Sequence, residues 1–561
     1  MPDTVPKPAP AATLDRQLHA WQSRFTGGRP PSMTTMAGLD WAVHAINAPF
    51  GLAEQIMASA TQWQRLTQAA TSGAPVIAAA PDDRRFADPA WQRPPYAMMA
   101  QAVLLGEEWW RDLVAAPPGV DPGNRRILAF SIQQVLDVAS PSNVAWLNPQ
   151  VVAATRDSGG ANLARGLQNL TKARAARPSP EFKVGVDVAA TPGQVVFRNS
   201  LIELIQYAPT TETVGAEPLL IVPAWIMKYY ILDLSPHNSL IGWLVAQGRT
   251  VFVISWRNPG AELRDTTLDD YRSLGVMAAL DAICAICGEA KIHATGYCLG
   301  GTLLAMAAAA MARDGDARLA SLSLLASQTD FTEAGDLKLF ITEGQLDFLA
   351  DVMCVQGFLS SEQMGAAFIM LRENQLAFAP AIKAYLLGEE DRPNDLMSWD
   401  ADGTRLPASM HIEYLRRMYL NNDLAQGHFA VAGRPVALID MQLPLFVVGT
   451  ERDTVAPWTS VFKLHLLNGQ ALTFVLTSGG HNAGIVSEPE HRNRHFRMRT
   501  REPGARTLGA VEWEQTTPPQ NGSWWPELAA WLTRHSTENA VPPPPMGTAI
   551  CAAPGTYVLE A

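Results

Sequence analysis

Residues 291–301 read Lys-Ile-His-Ala-Thr-Gly-Tyr-Cys-Leu-Gly-Gly, and the hexapeptide Gly296-Tyr297-Cys298-Leu299-Gly300-Gly301 within them decides the fold. The run Lys291 to Thr295 is apolar and strand-like, and the small-residue stretch Thr302 to Ala312 reads as a helix. A Gly-x-nucleophile-x-Gly between strand and helix demands a tight turn, and its glycines let the helix pack close behind it. Such a turn lifts one side chain to a helix N-terminus, where backbone N–H groups favour an anion. The lifted residue here is Cys298, so its thiolate is expected to be favoured.

Outward from this turn, the chain alternates short apolar runs with helical ones. Leu219 to Val222, Thr250 to Ser255 and Ala320 to Ala326 are continuous apolar runs, as buried parallel strands require. Helical stretches from Ser239 to Gln247 and from Leu268 to Gly288 separate them. Gln194 to Arg198 and Leu201 to Tyr207 read as a hairpin that opens the sheet. Two further strands, Pro444 to Gly449 and Ala471 to Leu476, follow a long helical stretch rich in Met, Leu and Phe. Strand–helix alternation of this kind implies a doubly wound α/β core with a mostly parallel sheet.

Six segments follow from these changes of pattern. Residues 1–81 are Pro/Ala-rich and expected to be disordered or loosely ordered, and 82–180 form a helical N-terminal domain. Residues 181–330 are the first part of the core, 331–433 a helical cap inserted into it, and 434–535 its second part. Residues 536–561 are a Pro-rich tail. At 561 residues the chain is too long for one core. Its net charge of −11 argues against a nucleic-acid partner. Only 17% of residues are charged and 16 are Trp, a composition suited to an amphiphile or a hydrophobic surface. No apolar helix reaches the roughly 20 residues of a membrane span, the N-terminus does not read as a signal peptide, and five unpatterned cysteines fit a reducing cytoplasm.

A thiol nucleophile needs a base, and the base needs an orienting acid. In α/β-hydrolase folds the order is nucleophile, acid, histidine, with the last two on loops after late strands. Asp453 follows the strand ending at Gly449, and His481 follows the next strand, in Ser478-Gly-Gly-His481. Glu451 is the rival acid. Cys284-Ala-Ile-Cys287 could suggest a redox or metal pair but lies on an apolar helical face with no second pair, which reads as core. Cys354 and Cys551 read as bystanders, and His237, His411 and His465 as structural. The run His491 to Arg501 reads as a solvated face, with phosphate contact as its alternative.

From about Phe86 to the C-terminus the chain resembles polyhydroxyalkanoate synthases, closest to the long, single-subunit-type class I enzymes. Arg85-Phe86 with Trp91, and Ser140-Pro-Ser-Asn143, resemble the family's N-terminal domain. Val222 to Leu234 and Ser255 to Pro259 resemble its core, Gly296 to Gly301 its cysteine lipase box, and Gly522-Ser-Trp-Trp-Pro526 its C-terminal signature. Met227, Gln375 and Thr454 depart from residues common in the family. The resemblance implies an α/β-hydrolase core and an acyltransferase that polymerises a 3-hydroxyacyl-CoA, with short monomers such as 3-hydroxybutyryl-CoA.

In that reading Cys298 carries the acyl group, His481 is the base and Asp453 orients it. The backbone N–H of Leu299 and that of Trp225 are the expected oxyanion donors. Arg372 and Trp399 fall on matching cap positions, where the resemblance implies substrate access. It further implies no metal or separate cofactor, CoA being substrate part and product, together with a homodimer at the surface of a cytoplasmic polyester granule. A cysteine-dependent thioesterase or depolymerase on the same fold, and a non-catalytic granule scaffold, are the alternatives.

Overall fold

The structure is a computed structural model and describes residues 10–26, 30–80, 83–175, 181–288, 290–371, 378–390, 393–537 and 540–561. It contains two compact units. One comprises residues 1–20, 178–364 and 393–561, and the other residues 21–177 and 365–392.

The larger unit is built on eleven strands. In chain order they are β1 (Gly193–Arg198), β2 (Ile202–Tyr207), β3 (Leu219–Val222), β4 (Val251–Trp256), β5 (Ile292–Tyr297) and β6 (Leu319–Leu325). Then come β7 (Leu445–Thr450), β8 (Leu472–Thr477), β9 (His495–Arg501), β10 (Gln520–Asn521) and β11 (Cys551–Ala552). Across the sheet the order is β10-β9-β8-β7-β6-β5-β3-β4-β2-β1-β11. The six central strands, β8 to β4 in that order, run parallel. Those on either flank are antiparallel, the pairing of β1 with β2 being the expected hairpin. Every residue of β3, β4, β5, β7 and β8 is buried, which is why these strands read as unbroken apolar runs rather than alternating ones.

Parallel alignment places the carboxyl ends of β3, β5, β7 and β8 along one sheet edge, where ligand sites of doubly wound sheets lie. This α/β-hydrolase fold is the expected one. The Arg-rich run, expected as a solvated face, is largely strand β9, with residues 491–493, Arg499 and Thr500 exposed. Two of its arginines cap carbonyls: Arg497 donates to Thr517 O, and Arg501 donates to Asn468 O and Gln470 O at 2.7 and 2.8 Å.

The tail differs as well. Beyond residue 540 the chain docks along β1, with Val195 opposite Cys551. The fully buried Glu203 carboxylate accepts the amides of Thr556 and Tyr557 at 2.8 and 3.0 Å. An edge position tolerates the prolines, because no ladder partner requires their missing N–H.

The smaller unit is helical: most of α1 (Pro10–Thr26) lies outside it, followed by α2 (Pro31–Asn47), α3 (Pro49–Ser72), α4 (Tyr96–Ala115), α5 (Pro122–Val138), α6 (Pro149–Asp157) and α7 (Ala161–Ala175). The expected looseness of 1–81 is therefore corrected over α1 to α3. Pro31 and Pro49 sit in first turns, where the missing N–H leaves no hydrogen bond unmade, and Gly73 (φ 68°) closes α3. Its hub is Arg85, whose side chain is 9% exposed and donates to Asp83, Glu107 and Asp137. Ser140-Pro-Ser-Asn143 makes the turn after α5, with Asn143 donating to Asp137 O at 2.7 Å. The 331–433 stretch, expected as one cap, is divided. Residues 365–392 group with these helices, where Asn162 donates to Leu386 O and Asn169 to Ala384 O.

Candidate active site

The turn after β5 has the backbone that the hexapeptide demands. Cys298 is the N-cap of helix α8 (Leu299–Asp314), with φ 52° and ψ −125°, a conformation that a non-glycine residue adopts only under constraint. Three close approaches impose it. A Cβ on Gly296 would strike the Gly301 backbone, one on Gly300 the carbonyls of Val222 and Pro223, and one on Gly301 the Ser327 hydroxyl. The pattern Gly-x-Cys-x-Gly-Gly is thus a packing requirement at all three glycines.

Asp453 and His481 arrive at the same edge on the loops after β7 and β8. His481 Nδ1 donates to Asp453 Oδ2 at 2.7 Å, and Cys298 is near enough to the imidazole to raise its pKa. Asp453 is held in turn. Its Oδ1 accepts the amides of Val455 and Ala456 at 2.9 and 2.8 Å, and its Oδ2 accepts the Thr450 hydroxyl at 3.0 Å. The rival Glu451 pairs elsewhere, receiving His495 Nε2 at 3.0 Å.

Cys298 is 7% exposed, and the Asp453 side chain not at all. Burial disfavours charge on His481, but Asp453 and Cys298 outweigh it and hold the imidazole well above the ordinary histidine value. The arrangement gathers a thiol, an imidazole and the carboxylate hydrogen-bonded to it at one sheet edge, a set that can ionise the thiol and shuttle its proton.

The other expected residues fall as follows. Leu299 is the first residue of α8, so its N–H has no partner within the helix. Trp225 lies three residues beyond β3, whose Val222 is paired with Gly296, so its loop borders the turn. That loop is held by the Thr404 hydroxyl donating to Trp225 O at 2.6 Å and by Trp399 Nε1 donating to Lys228 O at 2.7 Å. Trp399 is therefore a buried anchor of the loop after Trp225. Met227 forms an antiparallel bridge with Gly403. Arg372 and Gln375 lie outside the described residues.

Cys284 and Cys287 pack against the core, and burial pushes the Cys287 thiol up to about 12. Among the described residues no cluster of His, Cys, Asp and Glu is placed to hold a metal ion. Nor is any helix among them long and apolar enough to cross a membrane.

Three further features escaped the sequence reading. Trp524 Nε1 donates to Gly484 O at 3.0 Å and Trp525 Nε1 to Ile485 O at 2.9 Å, so the Trp-Trp motif staples the loop that carries His481. Phe331, Tyr414 and Tyr419 form a buried aromatic group, with Phe331 and Tyr419 centroids 4.9 Å apart. Burial, then the neighbouring Tyr419 and Cys298, hold Tyr414 well above the ordinary phenol value, so it stays protonated. The last feature is a contact between Tyr297 and Asn482, the chain neighbours of Cys298 and His481.

Comparison with known proteins places the chain. Residues 82–244 match the model of the poly-beta-hydroxybutyrate polymerase (PhaC) N-terminus, residues 9–50 that of the poly-beta-hydroxybutyrate polymerase N terminal region, and residues 217–488 that of the alpha/beta hydrolase fold. The poly(3-hydroxyalkanoate) polymerase of Methylorubrum extorquens is 42% identical over 86% of this chain and 82% of its own length. The PhaC subunit of the Rhizobium etli polymerase is 39% identical, over 85% of this chain and 77% of its own. That of Cupriavidus necator is 34% identical, over 99% and 96%.

Proposed function

This chain belongs to the poly(3-hydroxyalkanoate) polymerase family, and we propose that it polymerises (R)-3-hydroxyacyl-CoA through an acyl thioester on Cys298. The observation that carries the mechanism is the buried His481–Asp453 hydrogen bond beside Cys298 on its strained turn. The Cys298 thiolate attacks the thioester carbonyl of the substrate, the C–S bond to CoA breaks, and CoA leaves as its thiol with the proton from His481. His481 then takes the proton of a 3-hydroxyl, whose oxygen attacks the acyl-Cys298 thioester. An ester forms and the thiol is regained. Asp453 keeps Nδ1 protonated, so that Nε2 faces the sulfur.

Sulfur suits this sequence. Transfer from one thioester to another is nearly isoenergetic, so the acyl group retains its activation until a hydroxyl arrives. Near-complete burial of Cys298 supports the exclusion of water that such an intermediate requires. The oxyanion donors in this proposal are the backbone N–H groups of Leu299 and Trp225, supported by their places on either side of the Gly300–Val222 approach. Arg372 is assigned to substrate access by family likeness alone.

The same reading makes this a class I-like acyltransferase for short monomers, acting as a homodimer on a cytoplasmic granule surface. An apolar stripe supports the surface role. Met36, Leu39, Val43, Ile46 and Phe50, spaced three or four apart along α2 and the start of α3, are all exposed.

The test is incubation of the purified protein with 3-hydroxybutyryl-CoA and with a medium-chain homologue. Release of CoA together with polymer is expected, faster for the short substrate and absent in Cys298→Ala. Free hydroxy acid without polymer would mean a thioesterase instead.

A further inference from the structure

We infer that Tyr297 and Asn482 form a clamp that positions the base against the nucleophile, an inference that rests on the thiol-acylation reading above. Tyr297 is the last residue of β5 and the residue before Cys298, and Asn482 is the residue after His481. The Tyr297 hydroxyl donates to Asn482 Oδ1 at 2.7 Å. One hydrogen bond therefore ties the nucleophile strand to the base loop, a single residue away from the chemistry on each side.

The aromatic ring adds a second constraint. Its centroid lies 5.7 Å from that of the His481 imidazole, with the planes inclined by 36°. Asp453 holds His481 at Nδ1 alone, and a single hydrogen bond is a pivot about which an imidazole can swing. The Tyr297 ring against its face restricts that swing. Asn482 is itself fixed, because its main-chain carbonyl accepts the amides of Ile485 and Val486, each at 3.0 Å. Burial first, and then the neighbouring Cys298 and Asp453, keep the Tyr297 phenol protonated. It therefore keeps the O–H that it donates to Asn482 Oδ1.

Neither side chain is assigned a contact with the reacting atoms, so both are positioning residues. Their value lies in geometry, since misplacing a reacting pair by about 1 Å costs on the order of 10²-fold in rate.

The test uses Tyr297→Phe, which removes one oxygen and keeps the ring, Asn482→Leu, and the double variant. Asn482→Ser replaces Asn482→Leu if the latter does not fold. Two quantities are read: the pH midpoint of iodoacetamide alkylation at the Cys298 peptide, by mass spectrometry, and single-turnover CoA release from 3-hydroxybutyryl-CoA. Each single variant should raise the alkylation midpoint by about half a unit or more, because a displaced imidazolium stabilises the thiolate less. CoA release should slow about tenfold, KM should stay within about twofold, and the double variant should be no worse than either single one. An unchanged midpoint and release rate in folded single variants would overturn the clamp, as would losses that multiply in the double variant. Alkylation needs no substrate, so a raised midpoint in a protein that makes no polymer would sink the polymerase reading and leave the clamp standing.

Discussion

At the scale of single residues, the chemistry depends on which state of His481 the fold favours. The carboxylate of Asp453, 2.7 Å from Nδ1, and the neighbouring Cys298 sulfur together outweigh burial and favour the imidazolium. Asp453→Asn removes that charge while keeping the shape. The imidazole then falls back towards its ordinary value and loses its tautomer control, so kcat should drop by about 10²–10⁴ with little change in KM. Steady-state CoA release across pH checks both parts. The neighbourhood of Asp453 and His481 was legible from their places after β7 and β8, and the structure pairs them while Glu451 pairs with His495. The Tyr297–Asn482 contact was not legible, because nothing local to either residue announces a partner on another loop.

At the scale of elements, the two late loops are positioned by parts of the chain distant in sequence. The β8–β9 connection carrying His481 is held by the indoles of Trp524 and Trp525, the latter opening α9 (Trp525–Arg534). Trp525→Phe keeps most of the apolar burial but leaves the Ile485 carbonyl without its donor. A stability loss of about 1–3 kcal/mol is expected in chemical denaturation. A larger fall in kcat than in kcat-independent substrate binding should accompany it, because the loop holds the base. The parallel strands themselves were readable from their apolar runs. Strand β9 was hidden by its charge, since an antiparallel strand with one open face can carry arginines that a buried parallel strand cannot. Helices α1 to α3 were hidden by prolines that composition alone counts as breakers, although their first-turn positions make them starters.

At the scale of the whole molecule, buried histidines far from the chemistry set the response to acid. Burial pushes His293, His411 and His465 each down to about 4, so all three are neutral in the fold and ionise near 6.5 when unfolded. Their contribution is complete above about pH 6.5 and is lost as pH falls towards 4, by up to about 1.4 kcal/mol per unit for each. His481 has the opposite sign, contributing fully below its unfolded value and losing its contribution as pH rises through the raised folded one. Denaturant midpoints measured between pH 7 and 4 should therefore fall steeply, and His293→Gln should flatten that fall. A slope unchanged by the substitution would refute this account. Sequence by itself determined the parallel core, the cysteine turn, and the placing of Asp453 and His481 at its edge, because each depends on local strand–turn–helix chemistry and on order along the chain. Tertiary structure alone decided the clamp at Tyr297, the Trp staples on the His481 loop, the docking of the tail and the division of residues 331–433. Those features are pairings between distant segments, and strand register and packing bring them together only once the chain has folded.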